Sequence, residues 1–209
     1  WMKSCDSAGS TMMILQTDMT DDDMFRLYFS SGKYRVHQYN GSSYDWQYIS
    51  TPVFRDPAAW YHIVFSYDSD NTTEADRART WINGVQITDW DTVDHPSSSE
   101  DSGWNKASNI ERIGREYTTT YGEAYKYNGY LADMHNIDGQ ALDASSFGET
   151  STSTGQWVPK EYSGSYGSNG WHLKFTGTDL GEDSSGNDND FTASNLDSSG
   201  SIIVEADTF

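Results

Sequence analysis

Trp60-Tyr61-His62-Ile63-Val64-Phe65-Ser66-Tyr67-Asp68, followed by Thr80-Trp81-Ile82-Asn83-Gly84-Val85-Gln86-Ile87, decides how the rest of the chain reads. Side chains alternate across a strand, so Trp60, His62, Val64 and Ser66 share one face and Tyr61, Ile63, Phe65 and Tyr67 the other. Both faces are largely apolar, which predicts a central strand covered on both sides. Asn83-Gly84 tolerates two consecutive positive φ angles and predicts a type I′ turn into the next strand.

Working outward, apolar residues arrive in short runs at 12–15, 24–29, 34–39, 44–49, 110–113, 130–137, 171–175 and 202–204, separated by Gly, Asn, Asp and Ser. Two further Asn-Gly pairs, Asn40-Gly41 and Asn128-Gly129, read as further hairpin turns. Many short strands joined by tight turns predict an all-β antiparallel sandwich. Helical candidates are single turns, one over 143–147 capped by Asp143 and one over 74–79. From about residue 149 the composition shifts to Ser, Thr, Gly and Tyr. The chain therefore divides into a sandwich over 1–148 and a loop-rich extension over 149–209 that packs on it or starts a further β domain.

The 209 residues carry 13 Lys+Arg against 32 Asp+Glu, a net charge of −19, so the basic footprint that nucleic acid demands is absent. No run of about 18 apolar residues is present, so no helical membrane span is expected. A single cysteine, Cys5, permits no internal disulfide. Hydrophobic residues are only 35% of the chain but 14% are aromatic, so the expected core is modest and ring-rich.

Several segments together resemble one superfamily. The Trp60–Tyr67 and Thr80–Ile87 pair is similar to the W-x-H-hydrophobic and Y/W-x-N-G-x strands of laminin-G-like domains, which have the concanavalin A-like lectin/glucanase jelly roll. Ile110-Glu111-Arg112-Ile113-Gly114 resembles their later strand ending in Ile-Gly. Asn128-Gly129-Tyr130-Leu131-Ala132-Asp133 resembles their closing strand. More narrowly, segments between 50 and 196 are similar in order to a bacteriophage virion-protein family of marine type. Among them are Phe54-Arg55-Asp56-Pro57, Ile137-Asp138-Gly139-Gln140-Ala141-Leu142, Gly170-Trp171-His172-Leu173-Lys174-Phe175 and Asp183-Ser184-Ser185-Gly186-Asn187. Trp1-Met2-Lys3 matches the end of a strand that continues upstream in that family, so the chain reads as a piece of a longer polypeptide whose first strand is missing.

Candidate sites follow from residue chemistry. Glucanases of this fold place two carboxylates on one strand face as E-x-D-x-E, and the nine glutamates form no such pattern. No Ser lies in a G-x-S-x-G context, and the five histidines are scattered without ligand spacing. An enzyme is therefore not expected. Aromatic faces stack on sugar rings, which makes Trp90 and Trp104, in polar contexts, and Tyr44, Trp46 and Tyr48, on one strand face, the candidate glycan residues; the competing reading is core packing. Asp183, Ser185, Asn187, Asp188 and Asp190 offer hard oxygens for Ca²⁺, against a loop held by Asx turns alone. What the resemblance implies is a virion structural or appendage protein at the particle surface, with lectin-like glycan binding. Its partners would be other virion proteins, a second copy of itself, or a cell-surface glycan. A purely architectural module is the alternative.

Overall fold

The computed structural model describes residues 1–5, 9–18, 24–106, 109–118, 122–176 and 179–193. The acidic run at 21–23 and the expected strand at 202–204 lie outside them. The strands are β1 (Met2–Ser4), β2 (Thr11–Asp18), β3 (Met24–Ser30), β4 (Lys33–Tyr39), β5 (Tyr44–Val53) and β6 (Ile63–Tyr67). They continue with β7 (Ala78–Ile82), β8 (Val85–Gln86), β9 (Trp90–Asp94), β10 (Ile110–Ile113), β11 (Glu116–Thr118) and β12 (Gly122–Ala124). The last are β13 (Gly129–Leu131), β14 (Met134–Asn136), β15 (Gly148–Thr150), β16 (Trp157–Pro159) and β17 (Trp171–Leu173). Both expected helical turns are present as 3₁₀ turns, Glu74–Asp76 and Ala144–Ser146, and Asp143 caps the second by accepting from Ser145 N.

A six-stranded antiparallel sheet in the order β10-β2-β3-β4-β5-β9 forms the first layer. Its inward residues, among them Phe25, Leu27, Phe29, Tyr34, Val36, Trp46 and Tyr48, are buried in the main core. The second layer faces it with β6-β7-β8, β1 paired to β13, and β14 paired to β17. Met2 bridges to Tyr61, just before β6, which links these pieces side by side. Thr80 Oγ1 donates to Tyr34 Oη at 3.2 Å, a bond between the two layers.

The outer face of the second layer is also covered. Val64 and Trp81 form a second apolar cluster with Ala144 and Phe147, against which Leu142, Trp157 and Tyr162 pack. The Trp157 ring lies where a Cβ on Gly84 or Gly148 would sit 2.6 Å from its carbons, and its Nε1 donates to His62 Nδ1 at 2.9 Å. β6 is therefore covered on both faces, as its two apolar faces demand.

Turn chemistry sets the hairpins. Asn83-Gly84 makes the expected turn, with φ of 49° and 79°. The sequence reading missed its counterpart at Ser31-Gly32, with φ of 54° and 75°, which joins β3 to β4. Asn40-Gly41 instead sits in a longer loop closed by Asn40 Oδ1, which accepts from Ser42 N and Ser43 N. Asn128-Gly129 is not a hairpin turn. Glycine is required there because β1 passes so near that a Cβ would meet Lys3 O. The 130–137 run is broken in two by Asp133, whose φ is 49°. The polar context of Trp90 is an edge strand, Trp90–Asp94, where one apolar face suffices.

Candidate functional site

The outer face of the six-stranded sheet carries a group of rings. β3 and β4 pair Arg26 with His37 and Tyr28 with Arg35, and β4 pairs Tyr39 with Tyr44 of β5. The Tyr28 and His37 rings meet edge to face at 5.5 Å, His37 and Tyr44 at 4.9 Å, and Tyr39 and Tyr44 at 5.5 Å. Tyr44 is 48% exposed, Tyr28, Arg35 and Tyr39 are half-buried, and His37 forms the buried floor. Burial first, then the charges of Arg26 and Arg35, lowers the His37 pKa to about 3, so the floor is neutral imidazole. Arg26 pairs with Glu116 at 2.5 Å. Burial raises the Tyr28 pKa, against the pull of Arg35. The rim is polar: Gln47 Nε2 donates to Asp94 at 2.9 Å and Asn40 Nδ2 to Asp45 at 2.6 Å.

Only Tyr44 of the five aromatic candidates lies on this surface. Trp46 is wholly buried and Tyr48 nearly so, both in the core between the layers, so neither offers a ring to solvent. The expected common face does not hold for Tyr44: the register shifts between Gln38 and Tyr39, so Tyr44 pairs with Tyr39 on the outer face while Trp46, opposite Gln38, faces the core with Tyr48. Trp90 is half-buried, with its ring centroid 5.1 Å from Tyr48 and 6.5 Å from Tyr34. Trp104 packs on Phe25 at 5.5 Å and Trp171 at 6.4 Å, and its Nε1 donates to Asn136 Oδ1 at 2.9 Å. Both tryptophans close the edges of the core. Tyr28, Arg35, His37 and Tyr39 escaped the sequence reading. Their signal was the i, i+2 spacing of Arg35, His37 and Tyr39 opposite the apolar Tyr34 and Val36.

The acidic loop at 183–190 is held by its own side chains. Asp183 Oδ1 accepts from His172 N and Ser185 N, and Oδ2 accepts from Ser185 Oγ and Asn189 N. Asp190 Oδ1 accepts from Asp183 N, while Asn187 and Asn189 side chains both donate to Gly170 O. Desolvation raises the Asp183 pKa, but these hydrogen bonds outweigh it and leave the carboxyl below its ordinary value. Asp188, at φ 58°, turns the chain. Four protein donors already occupy the carboxylate that a cation would need first.

Strand pairing also gathers three residues that no local spacing announced. β14 and β17 place His135 opposite His172, their rings stacked at 4.0 Å, with Asp133 before them. His172 Nε2 lies 2.6 Å from Asp133 Oδ1, and His135 Nε2 lies 3.3 Å from Oδ2. His135 Nδ1 bonds the Tyr166 hydroxyl at 2.8 Å. One ligand atom from each of the three falls within 4.8 Å of the others, a donor set that suits a divalent transition ion. Desolvation opposes a charged Asp133, but the two imidazoles outweigh it and hold the carboxyl well below the usual range. As they stand, the three groups fasten the second layer to the extension.

A cleft of about 910 Å³ runs beside this cluster, between β6 and β14. Phe25, Leu27 and Phe65 line it from the main core, Val64, Leu142 and Phe147 from the outer cluster.

Two antiparallel layers face each other, the first of six strands and the second carrying the Trp81-x-Asn83-Gly84 turn between β7 and β8, and residues 1–146 match the model of the concanavalin A-like lectin/glucanases superfamily. The chain belongs to the concanavalin A-like lectin/glucanase superfamily. The match stops at the end of the 3₁₀ turn Ala144–Ser146, so it covers the sandwich strands from β1 to β14 and not β15, β16 or β17. Comparisons with curated proteins and with solved structures gave no match.

Proposed function

We propose that the chain is a non-enzymatic, lectin-like module that binds a glycan on the outer face of its six-stranded sheet. The carrying observation is the exposed Tyr44 ring, grouped with Tyr28, His37 and Tyr39 over Arg35 and rimmed by amide and carboxylate side chains. Aromatic faces take up the C–H faces of a pyranose and the rim exchanges hydrogen bonds with its hydroxyls. A glycosidase needs two free carboxyl groups facing one bond. Asp133 and Asp183 are committed to hydrogen bonds, and the half-buried Glu111 accepts from Trp171 Nε1 and Asn105 N. Catalysis is therefore not part of the proposal.

The setting we propose, a bacteriophage virion appendage or surface decoration, rests on the resemblance of the segments between residues 50 and 196. A purely architectural role in the same particle is the competing reading. A glycan array probed with the chain and with its Tyr44→Ala variant separates the two. The lectin reading expects retention of one glycan class that the variant loses by tenfold or more, a loss of about 1.4 kcal/mol, at unchanged melting temperature. Retention by neither protein supports the architectural module.

A further inference from the structure

Asp133, His135 and His172 converge from two strands and the corner between them. Asp133 breaks the chain between β13 and β14 at a left-handed φ of 49°, a conformation that Asp tolerates better than most residues. His135, in the middle of β14, stands opposite His172, in the middle of β17. Directly opposed residues of an antiparallel pair project to the same side of the sheet, so the two imidazoles stack at 4.0 Å. Both Nε2 atoms turn to the Asp133 carboxylate, one to each oxygen.

The cluster does not satisfy itself. His172 Nε2 and Asp133 Oδ1 share one hydrogen bond at 2.6 Å. His135 Nε2, 3.3 Å from Oδ2, makes no hydrogen bond among the described residues, although only 9% of its side chain is exposed. Buried side-chain nitrogens normally have a partner. The ring is not free to turn elsewhere for one. Its Nδ1 is held by the Tyr166 hydroxyl at 2.8 Å, and His172 and Phe147 pack against it at 4.0 and 5.2 Å. A hydrogen bond on the outer nitrogen is the support that metal-bound imidazoles characteristically have, since it fixes the ring and aims the inner nitrogen. His172 is fixed through its backbone: its N donates to Asp183 Oδ1 at 2.8 Å and its O accepts from Ser184 N at 2.8 Å.

We infer that Asp133, His135 and His172 bind one zinc ion through the two Nε2 atoms and one carboxylate oxygen. Ca²⁺ and Mg²⁺ take oxygen ligands, whereas two imidazole nitrogens and one carboxylate suit Zn²⁺. Zn–N bonds of about 2.0–2.1 Å in a tetrahedron set the ligand atoms about 3.3 Å apart. One atom from each residue already lies within 4.8 Å of the others, and a turn of the Asp133 carboxylate, whose side chain is 37% exposed, closes the set. The cleft beside Asp133 and His135 leaves the fourth position to water. The ion would clip together side chains 39 residues apart and pin β17 to β14, a pairing of only three residues a side. His172 lies beyond residues 1–146, so the sandwich strands alone do not carry the site.

The test titrates the full 209-residue chain, stripped of metal, with Zn²⁺ alone in a calorimeter. One equivalent is expected to bind at about 1 μM or tighter, to raise the melting temperature, and not to be displaced by Ca²⁺. Asp133→Asn keeps an oxygen for His172, and His172→Gln keeps an amide for Asp133. Each should weaken zinc a hundredfold or more at unchanged circular dichroism, and Tyr166→Phe should weaken it about tenfold. Nitrogen-15 imidazole spectra of the unsubstituted chain need no variant to fold: zinc moves the Nε2 resonances of His135 and His172 and leaves those of His37 and His95 in place. No binding of zinc, which makes the three groups a hydrogen-bonded clasp, overturns the proposal. So does zinc that moves His37, His62 or His95 instead, or that binds the two ligand variants as tightly as the parent chain.

Discussion

Tyr44, Trp46 and Tyr48 are spaced as if on one face of β5, yet the register shift beside Tyr44 puts its ring on the outer face and leaves the other two in the core. Trp46 sits in the core against Phe65, 6.1 Å away and stacked, while Tyr44 projects past the sheet. Trp46→Ala is expected to cost about 3–5 kcal/mol in urea unfolding, and Tyr44→Ala less than about 0.5 kcal/mol. Alternation over Trp46 and Tyr48 was legible in the sequence; the register shift that turns Tyr44 to the other face was not, because it arises in the pairing of β5 with β4. The histidines carry the pH dependence. Burial lowers His37 and His62 to about 3, from an ordinary value near 6.5. Both stay neutral in the folded chain while the unfolded chain takes up protons, so stability is intact above about pH 6.5 and falls as pH drops toward 3. Each contributes a slope of up to about 1.4 kcal/mol per pH unit. Urea midpoints between pH 7 and pH 4 should show the decline, and His62→Gln, with an oxygen left to accept from Trp157 Nε1, should flatten it.

At the level of elements, the long strands of the first layer were readable from their apolar runs, and the short ones were not. β11, β12, β15 and β16 have three residues each, too few for alternation to register. Their existence depends on the partners they pair with. The same applies to Asp133, His135 and His172, which meet only because β14 lies against β17. The 183–190 loop supplies a sharp expectation. Its donors are internal, so adding Ca²⁺ should not move the melting temperature by more than about 1 °C, whereas a Ca²⁺ site filled well above its Kd adds about 2.7 kcal/mol. Asp183→Ala, which strips four donors of their acceptor, should destabilise the chain by at least about 2 kcal/mol.

Across the whole molecule, the boundary drawn from composition near residue 148 falls within the covering layer. Phe147 and Trp157 both lie over Val64 and Trp81, on either side of that boundary. A chain ending at residue 148 should bind hydrophobic dyes and melt well below the 209-residue chain, which should unfold in a single calorimetric transition. Gly84→Ala, which drives a Cβ into the Trp157 ring at a left-handed φ, should lower the melting temperature through the same contact.

The seating of β1, between β13 on one side and Tyr61 on the other, also sets how the molecule answers a pull. Tension applied through Trp1 along the strand axis meets hydrogen bonds that lie across the line of force on both flanks, so they share the strain and must slide together before any breaks. A force applied to the covering layer through β16 would instead peel it from β15 one bond at a time. The domain is therefore mechanically anisotropic, stiff through β1 and yielding through β16.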